Sequence, residues 1–219
     1  MKNGFLIFLC FIFFNSVFAH STDNDQHGKL KFAPLEVMLS KSVATGFLKV
    51  VPGEIVGFRK RPSERQRIEE AFKVIEAVIN SEEFKNKVIA YEGEDGQRRY
   101  TANNDLTNEA IYEKLMQGKE LLNGEETLGE MNLDIKRYSR FWSKVIGWTS
   151  PGNSKWINVN GRFYKKYSVA QIASNLTHEW IHLNGFYHAS AKDHDSVPYA
   201  VGYIMEDLAL KYLSQGFLD

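Results

Sequence analysis

The chain has 219 residues, the size of one domain with a substantial core. Its 27 lysines and arginines are balanced by 27 aspartates and glutamates, so the overall charge gives no reason to expect a nucleic-acid partner. The one cysteine, Cys10, lies near the start of the chain, and the remainder therefore cannot use disulfides.

Residues 1–19 have the pattern of a secretory signal peptide. Lys2 precedes a dense apolar run, and Val17 and Ala19 are small residues just before His20. The run is too short to be a stable membrane anchor. We therefore expect cleavage near Ala19 and His20, a secreted or periplasmic protein of bacterial type, and no stable membrane insertion.

The next stretch, residues 20–60, is treated as a separate N-terminal segment. Residues 20–29 are polar and aperiodic, which predicts a mobile tail. Short apolar runs punctuated by glycine and proline then predict strands or hairpins, at residues 35–39, 47–51 and 55–58. These runs belong either to the main sheet or to a small prosegment, and the sequence leaves both open. The main domain is expected in residues 61–219.

Three helices are predicted in the first half of this domain. Ser63 and Gln66 are typical of a capping box after Pro62. Behind them four apolar residues recur at helical spacing, namely Ile68, Phe72, Ile75 and Ile79. A second helix is predicted from Ser81 and a third near residues 108–117, with Ile111 and Leu115 directed into the core.

The middle of the domain is predicted to change from loop to strand. Residues 119–140 are acidic and contain glycines, and we predict a loop for them. Apolar runs at 138–142, 145–149 and 155–159 predict strands. Residues 150–154 have the composition of a tight turn, so the last two runs form a hairpin.

The following helix begins with a second capping box. Ser168 and Gln171 supply the box, and an inward stripe of Ile172, Leu176 and Leu183 follows. Near its end the helix carries His178 and His182, with Glu179 between them. Histidines four residues apart lie on one helix face, close enough to bind one tetrahedral metal ion. Glu179 can then reach a metal-bound water.

The residues beyond this helix supply a third ligand. His188 can join His178 and His182 only if the helix ends and the chain turns back, and Gly185 permits this because glycine enters the left-handed conformation at little steric cost. Three neutral imidazoles leave one position of Zn²⁺ open for water, as catalytic sites do. The sequence therefore predicts an open zinc site, with Glu179 as general base.

The pattern HExxHxxGxxH formed by His178, Glu179, His182, Gly185 and His188 resembles the extended zinc-binding signature of the metzincin metallopeptidases. The resemblance implies an α+β, zincin-like fold, in which a twisted mixed sheet with an antiparallel edge strand packs on an N-terminal helix and the HExxH helix, before a short C-terminal helical subdomain. It implies a zinc-dependent metalloendopeptidase that acts on a protein or peptide substrate, and we expect a monomer.

In the metzincins an antiparallel edge strand upstream of the zinc helix binds extended substrate. By resemblance this role falls on the hairpin at residues 145–159, and within it on Trp156, Ile157 and Asn158. The alternative is a core hairpin with aromatic packing.

The segment after His188 departs from the metzincin pattern. A last helix is predicted from Pro198, with Ser196 as a cap, to about Leu213. Metzincins place a methionine in a tight turn beneath the zinc, whereas Met205 reads as helix interior. In gluzincins a downstream glutamate is the third ligand, and Glu206 would suit that arrangement. We favour His188, because Gly185 has a role only in the first arrangement.

Further roles in the site are assigned as hypotheses. Tyr199 and Tyr203 are candidates for stabilising an oxyanion, and Glu206 for a hydrogen bond to a ligand imidazole. His194 and its aspartate neighbours are interpreted as a polar surface loop. Two other functions stay open: a zinc amidase acting on cell-wall peptides, and a catalytically silent, zinc-stabilised binding module. Glu179 favours an enzyme, since a silent module does not need that carboxylate.

Overall fold

The computed structural model describes residues 46–97, 99–122, 125–127, 129–188, 190 and 193–219. The predicted signal peptide with Cys10, its cleavage site, the polar tail and the apolar run at 35–39 all lie outside the described residues. The described part is a mixed α+β fold with a small open sheet and six helices. Within it, every helix is too short or too polar to cross a bilayer.

The elements follow one another as strand, three helices, five strands and three helices. The helices are α1 (Pro62–Ile79), α2 (Glu82–Ile89), α3 (Asn108–Met116), α4 (Gly161–Tyr164), α5 (Val169–Leu183) and α6 (Val197–Ser214). The strands are β1 (Lys49–Val56), β2 (Glu120–Leu122), β3 (Glu125–Thr127), β4 (Glu130–Tyr138), β5 (Gly147–Trp148) and β6 (Trp156–Asn160).

The main sheet has the strand order β1, β4, β6, β5. β1 pairs with β4 and β4 with β6 in parallel, whereas the short edge strand β5 is antiparallel to β6. β2 and β3 form a separate two-stranded antiparallel pair. The expected mixed sheet with an antiparallel edge strand is therefore present, and so is the predicted hairpin, formed by β5 and β6.

The loop predicted for residues 119–140 is wrong, because this stretch contains β2, β3 and β4. In β4 the buried residues Met131, Leu133 and Ile135 alternate with more polar ones, which is the period of a strand with one buried face. The predicted strand at 138–142 is also wrong beyond its first residue, since β4 ends at Tyr138.

The predicted edge position of Trp156, Ile157 and Asn158 is wrong as well. These residues lie in β6, which is paired with β4 on one side and β5 on the other. The edge strand is β5, which is the first half of the predicted hairpin. The order of strands in a sheet is set by long-range pairing, so the hairpin pattern alone does not determine which of its strands is outermost.

Part of the N-terminal segment belongs to the main sheet, which is the first of the two alternatives that the sequence leaves open. Lys49–Val56 is paired along β4 and is therefore a strand of the main sheet, with an irregularity between Pro52 and Ile55. The capping box predicted at Ser63 is not formed: α1 begins at Pro62, and its N-cap Arg61 makes no side-chain cap hydrogen bond. Proline at the first helical position favours a helix start in another way, because it lacks one of the N–H groups that would be left unsatisfied there and its φ is already helical.

α5 lies at the centre of the fold. It packs against α1, α6 and the strands of the main sheet, and its apolar residues Ile172, Leu176 and Leu183 are fully buried, as predicted. The capping box of Ser168 and Gln171 is present in full. Because α5 is held on several sides, the side chains near its C-terminus have fixed surroundings.

Candidate metal centre

Three histidines converge at the end of α5. The ligand atoms offered by His178, His182 and His188 lie within 4.8 Å of one another, and all three residues are buried. His178 and His182 come from successive turns of α5, as their spacing predicts. Three convergent imidazoles form a donor set that can hold one metal ion. The predicted ligand set is therefore brought together.

Gly185 ends α5 in the way the sequence predicts. The helix stops at Leu183, and Gly185 has a φ of 81°. Its N–H donates to the His182 carbonyl at 3.0 Å, and the Phe186 N–H donates to the Ile181 carbonyl at 3.4 Å. These two bonds form a Schellman motif, which turns the chain back toward the helix and brings His188 to the other ligands.

Backbone carbonyls orient two of the ligand rings. Nδ1 of His182 lies 2.8 Å from the Phe186 carbonyl oxygen, so it carries the proton and leaves Nε2 for a metal. His178 is hydrogen-bonded to the carbonyl of Pro198 at the start of α6. Such partners fix the tautomer and the ring orientation of metal-binding histidines. The turn after α5 and the start of α6 thus both position ligands.

The electrostatics of the cluster favour neutral imidazoles. Burial lowers the pKa of His178 well below its ordinary value, and the neighbouring histidines act in the same direction. Burial also lowers the pKa of His182 to about 4 and lowers that of His188. Neutral imidazole is the form that coordinates metal ions. The cluster is thus ready to bind a metal at neutral pH without first losing protons.

Glu179 is fully buried beside the edge strand. A Cβ placed on Gly147 would lie 2.8 Å from Glu179 Oε1 and 3.0 Å from Asn175 Oδ1. Asn175 Oδ1 accepts a hydrogen bond from the Tyr164 hydroxyl at 2.8 Å. Burial and the nearby Glu179 raise the pKa of Tyr164 well above its ordinary value. The carboxylate of Glu179 is thus confined between β5 and the side chains of α4 and α5.

A second buried carboxylate, that of Glu120 in β2, holds α5 through a hydrogen bond to Trp180. Glu120 Oε1 accepts hydrogen bonds from Trp180 Nε1 at 2.6 Å and from the Asn132 backbone N–H at 2.7 Å. Burial raises the pKa of Glu120 to about 7, although these hydrogen bonds act against the rise. Because Trp180 directly follows Glu179, this bond helps to set the rotation of the helix turn that carries the site.

Of the two tyrosine candidates, only Tyr199 lies against the cluster. Its ring centroid is 4.5 Å from that of His178 and 4.7 Å from that of His188. The Tyr203 hydroxyl lies instead 2.9 Å from Nδ1 of His194. α6 packs against the cluster at Gly202 as well, where a Cβ would lie in ordinary van der Waals contact, 3.5 Å from the His178 Cβ.

The alternative third ligand, Glu206, is not part of the cluster. Among the residues that the structure describes, the ligand atoms gathered there are those of the three histidines. Glu206 is hydrogen-bonded to Ser174, and burial raises its pKa. The predicted hydrogen bond from Glu206 to a ligand imidazole stays a prediction. Met205 is buried inside α6, as the sequence predicts, and so does not lie in a turn.

The loop around His194 has a structural role. Asp195 accepts hydrogen bonds from the Tyr91 hydroxyl at 2.5 Å and from the Glu94 N–H at 3.0 Å, and Asp193 accepts one from the Thr101 hydroxyl. Ser196 caps α6 by position, but its hydroxyl donates to the Asp193 carbonyl. These bonds tie the chain just before α6 to residues 91–101.

Sequence reasoning missed the contribution of three residues near the site: Gly147, Tyr164 and Glu120. A glycine within a strand is a known signal of close backbone approach, and this signal was present at Gly147. Neither Glu120 nor Tyr164 shows any local pattern that marks it as a neighbour of α5. Both are brought there by tertiary packing.

Comparison of the chain with protein families, with characterised proteins and with solved structures finds no match. What is shown is therefore a mixed α+β domain with a buried histidine triad that can hold a metal ion.

Proposed function

We propose that this protein is a secreted zinc-dependent metalloendopeptidase, with His178, His182 and His188 as ligands and Glu179 as general base. The observation that carries the proposal is the position of Glu179. It follows the first ligand directly and is confined between α5 and the edge strand β5. A structural metal site needs no buried carboxylate at this place.

The donor set supports zinc. Imidazole suits several transition metals, but three histidines with a fourth position open for water are a common ligand set of catalytic zinc. When bound, zinc lowers the pKa of its water toward neutrality and polarises a carbonyl oxygen. In this proposal Glu179 accepts the proton of that water and later gives it to the leaving amine.

The edge strand supports a peptide substrate. β5 is the last strand of the main sheet, and its Gly147 lies against Glu179. An extended peptide that adds to β5 by backbone hydrogen bonds would run past the general base. The signal-like pattern of residues 1–19 supports action outside the cytoplasm. Tyr199, beside two ligand rings, is the candidate donor to an oxyanion.

The test is Glu179→Gln, compared with wild type for zinc content and for hydrolysis of casein and of cell-wall peptides. We expect one zinc per chain in both proteins and a loss of hydrolysis of about 100-fold or more in the variant, the usual contribution of a general base. Glu113→Gln, which changes an exposed glutamate of α3, is the matched control and should retain full activity.

Either of two results would overturn the proposal. The first is a zinc-loaded wild type that cleaves none of these substrates, and the second is an unaffected rate in Glu179→Gln. Cleavage of the cell-wall peptides alone would instead make the protein an amidase that uses the same residues.

A further inference from the structure

The two most exposed large apolar side chains among the described residues are neighbours. Phe141 is 68% exposed and Trp142 is 89% exposed, in a turn between β4 and β5. Exposed apolar side chains are ordinary when scattered singly, but two adjacent aromatic residues at the tip of a turn are unusual on a soluble surface. Their rings contact each other edge to face, with centroids 4.9 Å apart.

Hydrogen bonds from the side chains of Asn160 and Arg162 hold this turn in place. The side chain of Asn160, which is fully buried, donates to the carbonyls of Arg140 and Val145, each at 3.2 Å. Arg162 Nη1 donates to the Phe141 carbonyl at 2.5 Å, and its guanidinium lies 5.5 Å from the Phe141 ring centroid. The aromatic tip is therefore fixed before it meets any partner, which lowers the entropic cost of binding.

The stretch of sequence that carries the tip has charges of one sign. Between Asp134 and Glu179 the sequence contains eight lysines and arginines and no aspartate or glutamate. Because the whole chain has 27 of each class, the rest of the chain carries a net eight negative charges. Five of these basic residues are exposed, namely Arg140, Lys144, Arg162, Lys165 and Lys166. Arg140 and Lys144 flank the tip in the sequence, and Arg162 contacts it. Lys165 and Lys166 directly follow α4, about one helical turn after Arg162. The balanced overall charge thus hides a strongly basic region.

We propose that this aromatic and basic surface, residues 140–144 with Arg162, Lys165 and Lys166, binds the headgroup region of an anionic phospholipid bilayer. Charge complementarity selects an anionic partner. The form of the surface favours a bilayer, because small-molecule sites are concave, whereas these aromatic side chains are exposed in a turn. Tryptophan and phenylalanine enter the interface of a bilayer, and flanking lysines and arginines bind its anionic headgroups.

The test measures binding of the full chain to phosphatidylcholine vesicles with and without phosphatidylglycerol, at low and at high salt. Residues 1–19 contain no tryptophan, so a blue shift of tryptophan emission reports on the folded part of the chain. We expect the blue shift and co-sedimentation only with phosphatidylglycerol, and a large loss of both at high salt. Trp142→Phe should remove most of the emission change while retaining co-sedimentation.

Two pairs of variants separate the aromatic and the basic contributions. Phe141→Ala combined with Trp142→Ala should weaken co-sedimentation about ten-fold or more, whereas Leu210→Ala, which shortens a 52% exposed side chain on α6, should not. Lys165→Glu combined with Lys166→Glu should weaken it by about five-fold or more per residue. The matched reversal of Lys85 and Lys87 on α2 should have no such effect.

The variants share residues 1–19, so any contribution of that apolar run cancels between them. Equal binding to neutral vesicles, or anionic binding that survives the aromatic double substitution, would overturn the proposal. Binding to soluble heparin but not to vesicles would also overturn it and would identify a polyanion as the partner. None of these readouts depends on metal content or on hydrolysis, so the result is independent of the proposed peptidase activity.

Discussion

Gly147 of the edge strand and Glu179 of α5 are in such close contact that a Cβ at Gly147 would lie 2.8 Å from Glu179 Oε1. Real side chains essentially never approach a Cβ so closely, and both the helix and the strand are held by their neighbours. The absence of a side chain at residue 147 is therefore what allows the carboxylate its place.

Gly147→Ala should displace the Glu179 carboxylate and lower hydrolysis by up to about 100-fold, because a displacement of about 1 Å is enough for such a loss. Zinc content should stay at one per chain, since no ligand is touched. The measurement is kcat alongside metal analysis. Gly152→Ala is the control: it adds strain at a φ of 74° but meets nothing within 4 Å, so activity should be retained. Full activity in Gly147→Ala would show that this contact is unimportant.

The choice of third ligand gives a second prediction. His188→Ala should weaken zinc binding by about 100-fold or more, because one of three protein ligands is lost. Glu206→Ala should retain zinc, because Glu206 is hydrogen-bonded to Ser174 and lies outside the histidine cluster. Zinc titration against a competing chelator measures both. The opposite ranking would move the third ligand to Glu206.

The pH dependence of stability gives a third prediction. Burial raises the pKa of Glu120 from 4.5 to about 7 in the folded protein. Between these two values the folded state binds more protons than the unfolded state, so stability falls as pH rises through this window. The stability that Glu120 contributes through its raised pKa is fully present below pH 4.5. By pH 8 the free energy of unfolding has fallen by an amount on the order of 3 kcal/mol from this cause.

Glu120→Gln should remove this loss, since glutamine stays neutral and its carbonyl oxygen can still accept from Trp180. The measurement is the free energy of unfolding of the metal-free protein from pH 5 to about pH 9. The other titratable groups are the same in both proteins, so the difference between the two curves isolates Glu120. Glu113→Gln, on the exposed face of α3, should retain the wild-type slope. Identical slopes for Glu120→Gln and wild type would contradict the prediction.

The two tyrosines of α6 give a fourth prediction. Tyr199→Phe should keep the ring against His178 and His188 while removing the hydroxyl, and should lower kcat by about 100-fold if the oxyanion loses a donor. Tyr203→Phe should leave kcat unchanged, because its hydroxyl is directed to His194. Zinc content should be unaffected in both. Equal kcat values for the two variants would restrict Tyr199 to packing.

The elements that sequence analysis predicted well are those defined by short-range pattern. α2, α3, α5 and α6 lie where periodicity and capping residues place them, and the hairpin of β5 and β6 lies where its turn residues indicate. β4 is not predicted by the sequence pattern, because the acidic residues and glycines of this stretch obscure the alternation of Met131, Leu133 and Ile135. The position of β6 inside the sheet depends on pairing with β4, some twenty residues earlier, and no local pattern expresses it.

The sequence by itself determined the histidine triad that can hold a metal ion. His178 and His182 are related by one helical turn, and Gly185 supplies the backbone conformation that returns His188, so all three positions follow from geometry within eleven consecutive residues. Only the tertiary structure decided that Gly147 lies against Glu179, that Glu120 binds Trp180, and that Glu206 lies apart from the cluster. The physical reason is that these contacts join segments from 32 to 60 residues apart, through packing of whole helices and strands rather than through the conformation of neighbouring residues.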